Sequence, residues 1–475
     1  MNISSRIQRA WSVVYPPATS GGRIHGLDLA RALAIIGMVA SHLAPSSAQN
    51  NPLIHGFPSA LFAVLAGVSM SIMASSGNAA GGIAATRAHH RLLIRGVIIF
   101  AIGLFLSSVQ ISIAVVLLSI AAILFFLPPV THMRTRNVWI LFFILLVIGS
   151  ALTSLLTQLG SVMMLVGTPY PLNAWLCYGT AGILIHRFLV FSRKTQIITF
   201  LLTGMLSAVL YWYLSRSISD SLSSQNSGGK WSEGSSSWST MPDSSMSFHQ
   251  AFLSSWVSKE PHTGGIVDIL FSLCVALAVI SLCLLVCTPR MGAALCYPLR
   301  ALGSMALTSY VIHVLSAGIF LSGNIDMVQA YHNRWIDSSS SAYSDPQSDS
   351  LSWSRYQEKV AAAGNWEEFT EKQNAYYAQK FSESSDSMPD VADLDSWSGF
   401  FITITIVLIF ATLWRLFFRR GPIEALVAWG EKRGLRANRA PRGNPSQNQA
   451  PALTEENPEN NSITVSVIKP KQFLS

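Results

Sequence analysis

Ten runs of mostly apolar residues, each long enough to cross a lipid bilayer, set the strongest limit on what this chain can fold into. They lie near 27–44, 57–75, 92–108, 110–128, 137–156, 172–192, 196–214, 266–287, 299–321 and 399–418. One span takes roughly 20 such residues at a rise of about 1.5 Å each. Hydrocarbon offers no water to a bare amide or carbonyl, so each run must close its own backbone hydrogen bonds as a helix. The expected fold is an all-α polytopic membrane bundle with about ten transmembrane helices. Half of the 475 residues are hydrophobic and 12% are charged, too few charges to clothe a soluble protein of this length.

A net charge of +8 invites a nucleic-acid partner, but the basic residues follow the spans instead of forming one patch. Arg6, Arg9 and Arg23 are followed by Arg87, Arg91 and Arg95, then by Arg134 and Arg136, then by Arg187, Arg193 and Lys194. Arg290 and Arg300 come next, and Arg415, Arg419, Arg420, Lys432, Arg433 and Arg436 last, so that every second connection is basic. This positive-inside alternation predicts a multi-pass plasma (inner) membrane protein with both termini in the cytoplasm and no nucleic-acid partner. No small-residue cleavage pattern closes the polar leader 1–26, so the first run reads as a retained helix. Cys177, Cys274, Cys283, Cys287 and Cys296 fall in or beside spans, which argues against disulfides and zinc sites.

The bundle is expected over 27–421, with two long extracytoplasmic loops at 215–263 and 323–397. The first is rich in Ser and Trp; the second holds 13 Asp and Glu against 5 Lys and Arg, a local net of −8. Ser-rich, aromatic-dotted stretches such as Ser235 to Trp238 suit a glycan-facing or lipid-surface loop, and the plainer reading is a solvated, partly disordered connection. Residues 356–381 have the composition of a surface helix. Residues 422–475 read as a cytoplasmic tail, largely disordered, and we find no clear internal repeat.

Three polar residues share the first span. At about 100° per residue, Arg31 and His42 return to within about 20° of one face and Asp28 lies about 40° from His42. Arg31 and His42 stand roughly 16 Å apart along the axis. Charge at bilayer depth is expensive and ordinarily faces a protein-lined cavity, so the stripe predicts a polar path. The plainer alternative is an interfacial Asp28–Arg31 pair with a snorkelling arginine. His55, His262 and His313 are expected at the same outer face as His42. Their spacing does not support zinc, whereas a shielded imidazole suits proton abstraction from a hydroxyl or amine.

The run from Arg23 through His25, Asp28 and Arg31 to Val39 resembles the opening helix of transmembrane acyltransferases related to heparan-alpha-glucosaminide N-acetyltransferase. The spacing from Arg31 to His42 also resembles the Arg-x10-His signature of the acyltransferase-3 family. Ser59 to Gly67, Tyr170-Pro171 with Trp175, Tyr178 and Gly182, Pro261-His262-Thr263-Gly264, Gly303 to Thr308 and Arg420 to Glu424 continue the likeness in order. Where bacterial relatives carry Asp-Gly-Arg-Ser before the second span, this chain has His55-Gly56-Phe57-Pro58.

The resemblance implies transfer of an acetyl group from cytoplasmic acetyl-CoA to a glycan or glycolipid across the membrane, with a mycolate-type trehalose glycolipid as one acceptor. It implies His42 or His55 as the catalytic histidine, and His262 or His313 as groups placing the acceptor or the developing oxyanion. Arg31, Arg91, Arg95 and Arg300, with Asp28 beside Arg31, are the implied contacts of the coenzyme's phosphates, although loop arginines also satisfy the positive-inside rule alone. A transporter or flippase using the same stripe is the alternative from another class, and a homodimer remains open.

Overall fold

The computed structural model describes residues 14, 15, 51 and 54 and the segments 23–45, 56–108, 115–158, 171–226, 248–318 and 397–437. His55, most of both long outer loops, the expected surface helix at 356–381 and the tail beyond 437 lie outside the described residues.

The described chain is all helix and turn. In order the helices are α1 (His25–Leu43), α2 (Phe57–Ala80), α3 (Gly82–Ser108), α4 (Leu117–Phe126), α5 (Thr135–Gln158), α6 (Leu172–Phe188) and α7 (Arg193–Asn226). There follow α8 (Phe248–Trp256), α9 (Ile266–Cys287), α10 (Arg290–Leu295), α11 (Tyr297–Ser304), α12 (Ala306–Gly318), α13 (Ser398–Phe417) and α14 (Pro422–Ala437). Every expected span corresponds to a helix, but the count differs. Among the described residues seven helices are long and apolar enough to cross a membrane, or eight if the bent pair α11–α12 is one span. The expected spans at 110–128 and 172–192 are helices of 10 and 17 residues. At about 1.5 Å per residue α4 reaches only about half the hydrocarbon thickness.

The apolar pattern explains which surfaces meet lipid. Ile197, Ile198, Leu201, Leu202, Met205 and Val209 on α7 and Phe401, Ile402, Ile406 and Ile409 on α13 are exposed, an arrangement stable against acyl chains. α1 is the opposite case: it packs against α2, α9, α11 and α13, and two thirds of its span is buried. The helix carrying the polar stripe is therefore central.

Small residues bring these backbones together. A Cβ on Gly67 of α2 would collide with the Gly179 carbonyl of α6, and one on Gly182 with the Val64 carbonyl. Gly303 of α11 lies against the Asp28 carbonyl of α1 with no room for a side chain. Lipid supplies no hydrophobic drive between helices, so such close approach is a main source of their association.

Two polar helices enter the segments read as loop and tail. On α5, Ser154 Oγ donates to the Phe252 carbonyl of α8 at 2.9 Å and Gln158 Nε2 to the Ala251 carbonyl at 3.3 Å. α14 packs under α3, where Gly430 and Gly434 fit beneath Ile98 and Ile94.

Gly303→Ala is expected to lower the thermal unfolding midpoint in detergent by the equivalent of about 1–3 kcal/mol, the usual cost of overpacking. Gly204→Ala, with no atom within 4 Å of the added methyl, should leave the midpoint unchanged or raise it.

Candidate functional site

A cavity of about 330 Å3 opens at the end of the bundle where the arginines gather. Its floor is α1, which turns Leu27, Asp28 and Arg31 into it; α2 adds Phe62, Leu65, Ser69, Met70 and Met73, and α3 adds Arg95 and Ile99. Leu117, Ile120 and Leu124 of α4 complete an apolar sleeve, and Gly303, Ser304, Ala306 and Leu307 at the α11–α12 break form the rim with Arg23 and Glu424.

The charges are arranged around one carboxylate. Asp28, 3% exposed, accepts Arg31 Nη1 at 2.6 Å and Arg23 Nε at 2.7 Å. Arg31 also donates Nη2 to Ser69 Oγ at 2.8 Å. Two guanidiniums on one buried carboxylate leave the cluster net positive, with several N–H groups of Arg31 available to a ligand. Across the cavity the buried Glu431 of α14 accepts Arg91 Nε at 2.7 Å and Arg95 Nη1 at 3.3 Å.

The rim is set by a broken helix. α11 and α12 meet at 85° around Met305. The exposed amides starting α12 are capped from far along the chain: Glu424 Oε1 accepts Leu307 N at 2.8 Å and Thr308 N at 3.1 Å, and Oε2 accepts Thr308 Oγ1 at 2.5 Å. A carboxylate on bare amides at a helix start is favourable both as hydrogen bonds and against the helix dipole.

From Phe62 in the cavity lining a chain of ring contacts leads to α12 and back to the far end of α1. Phe62 stacks on Tyr310 with centroids 6.2 Å apart, and Tyr310 meets His313 edge-on at 6.4 Å. His313 in turn stacks on His42 at 5.6 Å with 19° between planes. The Tyr310 hydroxyl accepts Val116 N at 3.0 Å, tying the start of α4 to these rings. His313 is 1% exposed and its Nδ1 has no partner among the described residues.

Of the expected residues, Asp28, Arg31 and Arg95 line the cavity, and His42 and His313 meet at the end of the ring chain. Arg91 stands outside the lining, paired to Glu431. Arg300 is buried away from it, donating to the Ala293 carbonyl and, at 2.8 Å, to His25 Nδ1, so it braces α11 against α1. His262 belongs to a second cluster with Trp175, Tyr178, Asp268 and Ser272, around a gap of about 10 Å3, room for one water at most. Its φ of 67° is the only positive value for a non-glycine among the described residues. The amides of His262, Thr263 and Gly264 converge on the buried Asp268 carboxylate and hold that turn. No group of three or more His, Cys, Asp or Glu that could hold a metal occurs among the described residues.

The comparisons with known proteins add one match. A family described only as a protein of unknown function (DUF418) matches residues 237–332, a stretch that includes α8, His262, α9, Arg300 and His313. No curated protein and no solved structure matches the chain.

Asp28→Ala strands two guanidiniums and is expected to cost about 3–5 kcal/mol of stability in detergent. Adding Arg31→Met to that variant removes one stranded charge and should recover part of the loss; equal midpoints for the single and double variants would contradict the pairing described here.

Proposed function

We propose that this protein is a membrane-embedded acetyltransferase. On this reading it moves an acetyl group from cytoplasmic acetyl-CoA to a glycan or glycolipid at the outer face of the plasma membrane, a mycolate-type trehalose glycolipid being one such acceptor. The arginine-rich end of the bundle is the cytoplasmic end and both termini lie on that side. The observation that carries the reading is the placement of two chemistries on one central helix, a basic cavity at one end of α1 and a shielded histidine pair at the other.

The residues present fit the donor. Arg31, Arg95 and Arg23 supply guanidinium donors of the kind that bind phosphates, and the sleeve of Leu65, Met70, Met73, Ile99, Leu117 and Leu124 suits an uncharged arm. The cavity volume is at the low end for ligand sites, enough for an arm with the nucleotide outside at the rim. The donor supplies an acyl carbon activated as a thioester. His42 takes the proton of the acceptor hydroxyl or amine as its oxygen or nitrogen bonds to the acyl carbon, and returns it to the sulfur that departs as the carbon–sulfur bond breaks, with His313 stacked against it at 5.6 Å. Connection of the two ends requires Phe62 and Tyr310 to part.

A second reading, a transporter or flippase, is favoured by one observation. The 85° break between α11 and α12 at the cavity is the kind of discontinuous helix that carriers use around a substrate.

Purified protein given labelled acetyl-CoA and an envelope lipid extract should place label in lipid. His42→Ala should slow transfer about 10²–10⁴-fold, the range for a lost general base. Arg31→Ala with Arg95→Ala should raise KM for the donor by roughly tenfold or more, as expected for lost charged hydrogen bonds. If His55→Ala is the dead variant and His42→Ala is active, the base is the loop histidine. Movement of lipid or solute across vesicles with no label transferred would replace the enzyme with the carrier.

A further inference from the structure

α14 lies directly after the last span and has two unlike faces. Four residues, 418–421, separate it from α13, and their turn is fixed by Trp414 Nε1 on the Arg420 carbonyl at 2.9 Å and Arg415 Nη1 on the Phe418 carbonyl at 3.2 Å. The helix thus begins within about one turn of the place where α13 leaves hydrocarbon.

Its inner face, Val427, Gly430, Glu431 and Gly434, is seated on α3. About 150° round the helix, Leu426, Trp429, Lys432 and Arg433 form the other face. Leu426 and Trp429 are each 53% exposed, and the Arg433 guanidinium lies 4.4 Å over the Trp429 ring. Exposed Arg419 and Arg420 add charge at the near end. In water an exposed Leu and Trp would be a liability, yet beside a span the same pair with flanking Lys and Arg matches an interfacial helix, with rings at headgroup level and cations reaching phosphates.

We infer that α14 docks on the headgroup layer of anionic phospholipid through Leu426, Trp429, Lys432 and Arg433. The inference stands on the helix's place beside a span and on charge complementarity, and does not depend on the acetyltransferase reading. The docked helix also bridges the cavity rim. Glu424 holds the start of α12 and, seven residues on, Glu431 holds Arg95. Lipid charge at the outer face of α14 is thereby linked to the position of a cavity arginine on its inner face.

The test uses full-length protein in nanodiscs containing phosphatidylcholine or phosphatidylglycerol brominated near the headgroup. Subtraction of a Trp429→Phe variant isolates the Trp429 fluorescence from that of the other twelve tryptophans. Trp429 should be shielded from aqueous iodide and quenched more by brominated phosphatidylglycerol than by brominated phosphatidylcholine. Lys432→Gln with Arg433→Gln should bring that ratio down toward one. Arg433→Lys, which keeps the charge, should preserve it. A ratio of one in the wild type, free access to iodide, or a ratio unmoved by the double variant would overturn the inference. Shielding confined to discs that carry two copies would overturn it in favour of a self-interface.

Discussion

The structure depends on one buried carboxylate. Asp28 is almost wholly shielded from solvent at the base of the cavity, and it is stable there because Arg23 and Arg31 close on it at 2.7 and 2.6 Å. That arrangement fixes the side chain of Arg31 in the cavity and ties the segment before α1 to the α11–α12 rim, where Arg23 also donates to the Ser304 carbonyl. It works because α1 is central. Gly303 allows α11 to touch the backbone of α1 at Asp28 itself, so the broken helix and the charged cluster are built on the same contact.

From that contact the rest follows by packing. The break at Met305 leaves amides that Glu424 must satisfy, and α14 is therefore drawn against the cavity in place of trailing away. α12 then carries Tyr310 and His313 inward to meet Phe62 and His42. The outcome is a molecule with a basic chamber at one end, paired imidazoles toward the other, and two aromatic rings between.

Much of this could be read from the residues. The apolar runs marked every membrane helix because lipid enforces helical closure on each of them. The face shared by Asp28, Arg31 and His42 was equally plain, since helical periodicity alone sets it. What escaped were contacts made across great sequence distance: Glu431 with Arg95, 336 residues apart, and Glu424 with Thr308, 116 apart. α8 and α14 escaped for another reason: α8 is only nine residues long and sits in a Ser-rich stretch, and α14 carries too much charge to register as a span. Arg300 was expected among the phosphate contacts and lies outside the cavity lining, and its burial against His25 and Ala293 could not be foreseen from a basic residue beside a span.

The most direct measurement of the central claim is an experimental density map of the protein equilibrated with acetyl-CoA. The account predicts ligand density in the cavity, with phosphates contacting Arg31 and Arg95 and the acyl end directed at Phe62. A map with the coenzyme bound elsewhere, or with the cavity empty and Arg31 still held only by Asp28 and Ser69 at saturating ligand, would contradict it.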